Sequence, residues 1–131
     1  MAKIKGLISP EQAKELSDAF TPRCKLISKG IVKRPDNRSS WHSIKELRAY
    51  LDYAEEQARE LGHEMNGIRI YCGAYPTVKG KVGYSTSFIV PTAEIIDGKD
   101  SEPKTNSDIP EAEGLNWGGP GWPPNASYPQ Q

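Results

Sequence analysis

The chain has 131 residues, of which 36% are apolar and 26% charged, and its formal net charge is zero. This length supports one domain with a modest core. No apolar run approaches the roughly 18 to 20 residues that a membrane-spanning helix needs, so a membrane protein is not expected. The basic N-terminus is not followed by the apolar region of a signal peptide, and the composition therefore favours a soluble cytoplasmic protein.

The two cysteines, Cys24 and Cys72, are predicted to be free thiols, because disulfides are rare in a reducing cytoplasm. Charge is distributed unevenly although it sums to zero. Residues 1–38 contain nine Lys or Arg and four acidic residues, whereas residues 92–131 contain two lysines and seven acidic residues. Ends of opposite sign favour an interaction within one chain or between neighbours, and solvation of both ends is the alternative.

The first predicted helix begins at Ser9, an N-cap residue that is followed by proline and by Gln12 in the capping-box position. It is predicted to end at Pro22, because proline disrupts a helix interior. Residues 24–33 are ambiguous and are compatible with a short strand. Residues 34–39 are typical of a loop.

The second predicted helix begins after the N-cap Ser43 and ends before Gly62, the expected C′ residue. Apolar residues at spacings of three and four predict a buried stripe along it. The stripe consists of Ile44, Leu47, Leu51, Ala54, Ala58 and Leu61. A coiled coil has the same spacing, but the stripe spans fewer than three heptads, so packing on a sheet is favoured.

Residues 67–75 and 84–90 alternate in the manner of strands and are predicted to form an antiparallel hairpin. The expected register places four pairs side by side: Tyr75 with Tyr84, Gly73 with Thr86, Tyr71 with Phe88, and Arg69 with Val90. The more apolar of the two faces of this hairpin is predicted to pack against the second helix.

The two faces differ in composition. The face expected under the helix carries Ile68, Ile70, Cys72, Ala74 and Ile89. The opposite face carries Arg69, Tyr71, Tyr75, Tyr84, Thr86, Phe88 and Val90. Because this second face is too aromatic to be left bare in water, we expect another segment to cover it.

The C-terminal residues 97–131 contain six prolines and five glycines and are predicted to form an extended arm beyond a compact domain of residues 1–96. Trp117, Trp122 and Pro123 lie in this arm. Because proline-rich segments bind well to aromatic-lined grooves, we hypothesise that residues 117–124 lie on the aromatic face, in the same chain or a neighbouring one.

Three segments resemble a family of small uncharacterised bacterial proteins: residues 67–75 (GIRIYCGAY), residues 87–92 (SFIVPT) and residues 115–119 (LNWGG). The resemblance spans residues 9–124. It implies that the arm belongs to the fold, and it supplies no activity.

No catalytic, cofactor or metal motif is present in the sequence. The histidines and cysteines, Cys24, His42, His63 and Cys72, are not at metal-ligand spacings. The chain contains neither a nucleophile elbow nor a P-loop. We therefore assign no catalytic residue, metal or cofactor.

Arg69 is the ionisable side chain of greatest interest. A guanidinium between tyrosines is suited to a carboxylate or phosphate ligand, or to stacking on an aromatic ring. The alternative is a structural contact with the arm, through a carbonyl or the carboxylates of Glu111 and Glu113.

The sequence thus predicts an α+β fold: two helices packed on a small, mainly antiparallel sheet, with a Pro/Gly-rich C-terminal arm. The favoured function is a non-enzymatic protein-interaction or assembly module, with the arm as a contact to a protein partner or a second copy. One alternative is a small enzyme or ligand-binding protein with a pocket near Arg69 and His42.

Nucleic-acid binding is a second alternative. The basic N-terminal third would supply it, through Lys25, Lys29, Lys33 and Arg34. The acidic arm and the absence of a ribonucleoprotein motif disfavour this function.

Overall fold

The computed structural model describes residues 4–96, 104–116, 119–120 and 127–130. It contains two α-helices and a three-stranded antiparallel sheet, so the predicted α+β class is confirmed. The chain divides into two compact units. The first comprises Met1–Ser39, Tyr75–Ser85 and Pro120–Gln131, and the second comprises Ser40–Ala74 and Thr86–Gly119.

The elements follow one another in a simple order. Helix α1 (Pro10–Leu26) leads into a π-helical segment (Ile27–Val32), and strand β1 (Ser40–Trp41) precedes helix α2 (Ile44–Glu60). The remaining strands are β2 (Met65–Ala74), β3 (Ser85–Ile95), β4 (Lys104–Asp108) and β5 (Gly119–Pro120). The sheet has the strand order β2-β3-β4.

Helix α1 begins with the predicted capping box. The Gln12 amide donates to Ser9 Oγ over 3.1 Å, and the Ser9 amide donates to Gln12 Oε1 over 2.9 Å. The prediction that Pro22 ends the helix is wrong, because α1 continues to Leu26. The Ser17 carbonyl, which lies more than one turn before the proline, accepts hydrogen bonds from Arg38 Nη2 (2.8 Å) and from a threonine hydroxyl. Side chains therefore supply partners near the point where proline weakens the helical ladder.

The ambiguous residues 24–33 are helical and contain no strand. The π-helical segment ends at Lys33, whose φ of 65° is left-handed. The loop that follows is held by Asp36, which is only 1% exposed. Asp36 Oδ1 accepts from the Ser85 amide over 2.7 Å, and its other oxygen accepts from the Ser85 hydroxyl. The Asp36 amide donates to Ser28 Oγ over 3.0 Å, so one buried residue joins the helical segment to the start of β3.

The sheet of the second unit is ordered around β3. Thr92 and Ala93 pair with Asp108 and Ser107 of β4, and a bulge follows Ala93. Nearer the start of β3, Ile89 exchanges two backbone hydrogen bonds with Leu115, of 2.9 and 2.8 Å. Thus β4 and Leu115, which fall in the predicted arm, are bonded to the central strand.

Helix α2 has the predicted N-cap, Ser43, and Gly62 follows its end with a φ of 85°. Its buried side differs from the predicted stripe. Ala54 and Ala58 are fully buried as expected, but Ile44 is 63% exposed and Tyr50, which lies outside the stripe, is buried. The helix is thus turned so that Tyr50 enters the core.

The Tyr50 position has a physical explanation. Its ring packs on Ala54 and Ile89. Its hydroxyl donates to the Glu113 carbonyl over 2.9 Å, so the polar end of a buried tyrosine is satisfied. The apolar periodicity of the helix could not predict the burial of Tyr50, because the acceptor at Glu113 lies far away in the sequence.

The expected face beneath α2 is only partly covered. Two clusters form the core: Tyr50, Ala54 and Ile89, and Ala58, Ala93 and Ile109. These contacts are with β3 and the residues that follow β4, whereas β2 contributes only Met65. Ile68, Ile70 and Cys72 are therefore exposed, contrary to the prediction.

Two glycines of the first unit provide a matched test of the close backbone approach between Tyr75 and Gly83. We expect Gly83→Ala to lower the free energy of unfolding by about 1–3 kcal/mol, because the new Cβ would lie 2.0 Å from the Tyr75 carbonyl oxygen. Gly30→Ala, in the π-helical segment, places its Cβ in open space and should be neutral or stabilising by up to about 1 kcal/mol. Urea denaturation followed by circular dichroism measures both, and equal losses would contradict the structure.

Candidate functional site

The candidate site lies on the face of the sheet opposite α2, in the second unit. The rings of Tyr71 and Phe88 stack with centroids 5.2 Å apart and an interplanar angle of 16°. This contact confirms their predicted proximity. Gly73 allows it, since a Cβ there would lie 3.3 Å from the Phe88 ring.

Asp108 completes the site. Arg69 Nη1 lies 2.6 Å from Asp108 Oδ1, and the Tyr71 hydroxyl donates to Asp108 Oδ2. The side chains of Arg69 and Asp108 are 41% and 35% exposed, so the ion pair is partly open to solvent. We call these four residues, Arg69, Tyr71, Phe88 and Asp108, the Arg–aromatic cluster.

Asp108 was missed by the sequence analysis, which considered Glu111 and Glu113 as partners of Arg69. The antiparallel pairing of Thr92 with Asp108 carries this carboxylate onto the cluster. Glu113 instead lies against α2, where its carboxylate accepts from Tyr53 and from Gln57 Nε2 (3.1 Å). The sequence contains three nearby candidates for the partner of Arg69, namely Asp108, Glu111 and Glu113. The register of β4, which ends at Asp108, identifies the correct one.

The contacts within the cluster shift the pKa values of three of its side chains. The hydrogen bond from Tyr71, followed by that from Arg69, lowers the pKa of Asp108 below its ordinary value. The same carboxylate raises the pKa of the Tyr71 hydroxyl and of the Arg69 guanidinium. These shifts keep Asp108 ionised and its two partners protonated, so the arrangement is suited to a fixed contact.

The other predicted site residues are not part of this cluster. Tyr75 and Tyr84 belong to the first unit, where the Tyr75 amide donates to the Tyr84 carbonyl over 3.0 Å. The Tyr84 ring is covered by the Arg34 guanidinium, 4.2 Å from its centroid. Trp117, Trp122 and Pro123 lie outside the described residues, and the docking of residues 117–124 stays a prediction.

Strand β2 also forms an edge of the sheet. Among the described residues it is paired with β3 alone. The row Ile68, Ile70 and Cys72 runs along this edge, on the face that α2 leaves uncovered, and Ile70 is 66% exposed. The edge strand therefore has an apolar row on one face and the Arg–aromatic cluster on the other.

Within the described part of the chain, no group of three or more His, Cys, Asp or Glu side chains is placed to hold a metal ion. His42 Nδ1 is buried without a hydrogen-bond partner there. None of the described helices has the length and apolar character needed to cross a membrane.

No family model, curated protein or solved structure matches this chain. The resemblance of residues 67–75, 87–92 and 115–119 to a bacterial family therefore stays a prediction. Function has to be argued from the geometry alone.

We expect Tyr71→Phe to raise the pKa of Asp108 towards 3.8, because the variant removes the hydrogen bond that lowers it most. Tyr53→Phe is the matched control, since it removes the principal hydrogen bond to Glu113 and should raise that pKa towards 4.5 instead. Titration of the carboxyl carbons by NMR measures both groups. A shift of Asp108 in the Tyr53 variant, or none in the Tyr71 variant, would contradict the cluster.

The same shift sets the direction of a pH effect on stability. A carboxyl whose pKa is lower in the folded state stabilises the fold above its unfolded pKa, and this contribution disappears as the pH falls through the folded value. The wild type should therefore lose unfolding free energy when the pH falls from neutral to values below the ordinary aspartate pKa. Tyr71→Phe should lose less over the same pH range. Urea denaturation at several pH values measures both.

Proposed function

We propose that this chain is a non-enzymatic, self-associating protein module in which β2 joins two copies edge to edge. The observation that carries the proposal is the exposed apolar row on an edge strand of ten residues. Exposed strand edges with apolar side chains are templates for pairing with another chain. A second copy is the occupant that the composition of β2 fits best.

Strand β2 lacks the usual protection of a sheet edge. Natural edges are blunted by lysines, prolines or bulges. The β2 sequence, MNGIRIYCGA, contains no lysine or proline, and Arg69 is its only charged residue. Because the Arg69 charge is already paired with Asp108, it offers little repulsion to an incoming strand.

The backbone of β2 favours a particular register. The Tyr75 amide bonds to Tyr84, so by the alternation of an antiparallel ladder the odd-numbered residues direct their backbone groups towards β3. The even-numbered residues Ile68, Ile70 and Cys72 then direct their N–H and C=O groups towards the open edge. An antiparallel pairing about a twofold axis at Ile70 matches these groups with those of a second copy.

This register also matches the side chains. On one face, Ile68 lies opposite Cys72 of the second copy and Ile70 lies opposite its own equivalent, which buries the apolar row. On the other face, Arg69 lies opposite Tyr71 of the second copy, where a guanidinium and an aromatic ring attract each other. The register thus avoids placing two arginines directly opposite each other.

The geometry favours this function over a ligand pocket at Arg69. Asp108 accepts from both Arg69 Nη1 and the Tyr71 hydroxyl, so the arginine already has a carboxylate partner. We further propose that the C-terminal residues 117–124 contribute to the contact between copies, given that this segment places two tryptophans beside prolines. A cytoplasmic location is part of this proposal and is supported by the two free cysteines.

The first test is a charge placed on the edge. We expect the wild type to have twice the monomer mass by light scattering and Ile70→Lys to be monomeric, because a buried unpaired ammonium opposes pairing. Ile44→Lys is the matched control, since Ile44 is 63% exposed on α2 and should leave the dimer intact. A monomeric wild type at about 100 µM, or equal disruption by both variants, would contradict the proposal.

The second test examines the register. In a Cys72→Ser background, Ile70→Cys should form an intermolecular disulfide on mild oxidation, because paired residues on the axis have Cα atoms about 5.5 Å apart. Ile44→Cys in the same background should remain unlinked. Non-reducing electrophoresis gives the result, and cross-linking through position 44 alone would exclude the β2 interface.

A further inference from the structure

A cavity of about 560 Å³ lies in the first unit, within the size range of small-molecule sites. Its lining consists of Thr21, Cys24, Lys25, Ser28, Lys29, Lys33, Arg34, Pro35, Arg38 and Ser127. Five of these ten residues are cationic. Among the described residues that line the cavity, none is acidic.

The helical geometry explains why these residues converge. Thr21, Cys24, Lys25, Ser28 and Lys29 recur at intervals of three and four along α1 and the π-helical segment, so they share one helix face. Insertions of π-helical geometry are frequent at functional sites. The left-handed Lys33 then turns the chain so that Arg34 and Arg38 form another part of the wall.

Arg34 is positioned by neutral groups. Its Nη2 donates to the Val82 carbonyl over 2.6 Å and its Nη1 to the Val32 carbonyl over 3.2 Å, while its guanidinium lies over the Tyr84 ring. Arg34 Nε is buried and has no hydrogen-bond partner among the described residues. Arg34 thus lines the cavity with its guanidinium fixed in place and its positive charge paired with no carboxylate among the described ion pairs.

Arg38 is held in the same manner. It donates to the Thr21 hydroxyl over 3.1 Å and to the Ser17 carbonyl over 2.8 Å, and its guanidinium lies 5.4 Å from the Phe20 centroid. These partners fix its geometry without neutralising its charge. Ion pairs found within the described ranges involve none of the five cations of the cavity.

Asp36, an acidic residue of the same loop, forms no ion pair with these cations among the described residues. Both carboxylate oxygens of Asp36 accept hydrogen bonds from Ser85, and Asp36 does not line the cavity. Five positive charges thus surround a volume that contains no matching negative charge from the described protein. Arg34 and Arg38, which neutral partners hold in place, give the cavity two fixed guanidinium groups of the kind that recognise anions, and the three exposed lysines add positive charge.

We infer that this cavity binds a small molecule through a polyphosphate group. One carboxylate or single phosphate would leave most of the five cations unpaired, whereas a chain of two or three phosphates can reach several of them. The Thr21 and Ser28 hydroxyls add hydrogen-bonding capacity. None of the described residues that line the cavity is aromatic, and the Tyr84 and Phe20 rings already lie against guanidinium groups.

This site is independent of the proposed self-association. Every lining residue belongs to the first unit, whereas β2 belongs to the second. A monomeric β2 variant should therefore retain the ligand affinity of the wild type, and a ligand-site variant should retain the mass of the wild type.

The test uses isothermal titration calorimetry on the full chain with sodium tripolyphosphate, ATP, citrate and a single-stranded RNA oligonucleotide. We expect tripolyphosphate and ATP to bind with comparable Kd values and citrate to bind more weakly. Lys25→Gln/Lys29→Gln should weaken tripolyphosphate binding by about 100-fold, since each charged hydrogen bond corresponds to about tenfold in affinity. Lys45→Gln/Lys104→Gln removes two exposed lysines of the second unit and should leave the affinity unchanged.

Four results would overturn the inference. They are no binding of tripolyphosphate at about 1 mM, an equal loss of affinity in both double variants, citrate binding as tight as tripolyphosphate, and RNA binding tighter than either phosphate ligand. A complementary measurement is the Arg34 Nε–H resonance, which should shift at saturation because a bound anion changes the electric field at the guanidinium. A resonance that does not move while tripolyphosphate binds would place the ligand elsewhere. Circular dichroism verifies that each variant is folded.

Discussion

The packing of α2 against β3 is the constraint on which the second unit depends. Ala54 and Ala58 of the helix meet Ile89 and Ala93 of the strand, and all three alanines are completely buried. Small side chains allow helix and sheet to approach closely, and close approach fixes where the helix axis lies. Here it lies over β3 and the residues after β4, so the helix cannot also cover the outer row of β2. Exposure of that row is a consequence of how the core is formed.

The same packing organises the start of the C-terminal segment. Glu113 is joined to α2 through Tyr50, Tyr53 and Gln57, and its neighbour Leu115 is bonded to β3. The polypeptide is therefore held on both sides of the helix-sheet interface before it reaches residues 117–124. Asp108, at the end of β4, is held in register by the same strand pairing and is thereby delivered to Arg69 and Tyr71. One core thus positions both the edge strand and the cluster on its opposite face.

The first unit is organised by a different kind of contact. Its described residues include few large buried apolar side chains, and polar contacts define their geometry instead. Asp36 ties the π-helical segment to Ser85, and Arg34 and Arg38 are held by carbonyls, a hydroxyl and aromatic rings. These partners fix the side chains in place but do not neutralise their positive charge. The two units therefore present surfaces of contrasting chemistry: an apolar strand edge in one, and a cationic cavity in the other.

The sequence alone determined the features that depend on near neighbours. The caps at Ser9 and Ser43, the turn at Gly62, the two long strands and the proximity of Tyr71 to Phe88 all follow from local hydrogen-bonding preferences and from alternation. The α+β class follows from the order of these elements. The apolar character of residues 68, 70 and 72 and the basic character of the N-terminal third are also visible in the sequence.

Tertiary structure decided what depends on distant partners. Arg38 bonds the Ser17 carbonyl of α1, the burial of Tyr50 relies on the Glu113 carbonyl, and the choice of Asp108 over Glu111 or Glu113 relies on the register of β4. Periodicity identifies which residues share a face but not how much of that face a helix covers, and so the exposure of Ile70 was not predicted. Likewise, the basic character of Lys25 and Lys29 is visible in the sequence, whereas the helical conformation that places them on one face and the turn at Lys33 that brings Arg34 and Arg38 to the cavity are not. These outcomes are set by long-range packing, which no local pattern encodes.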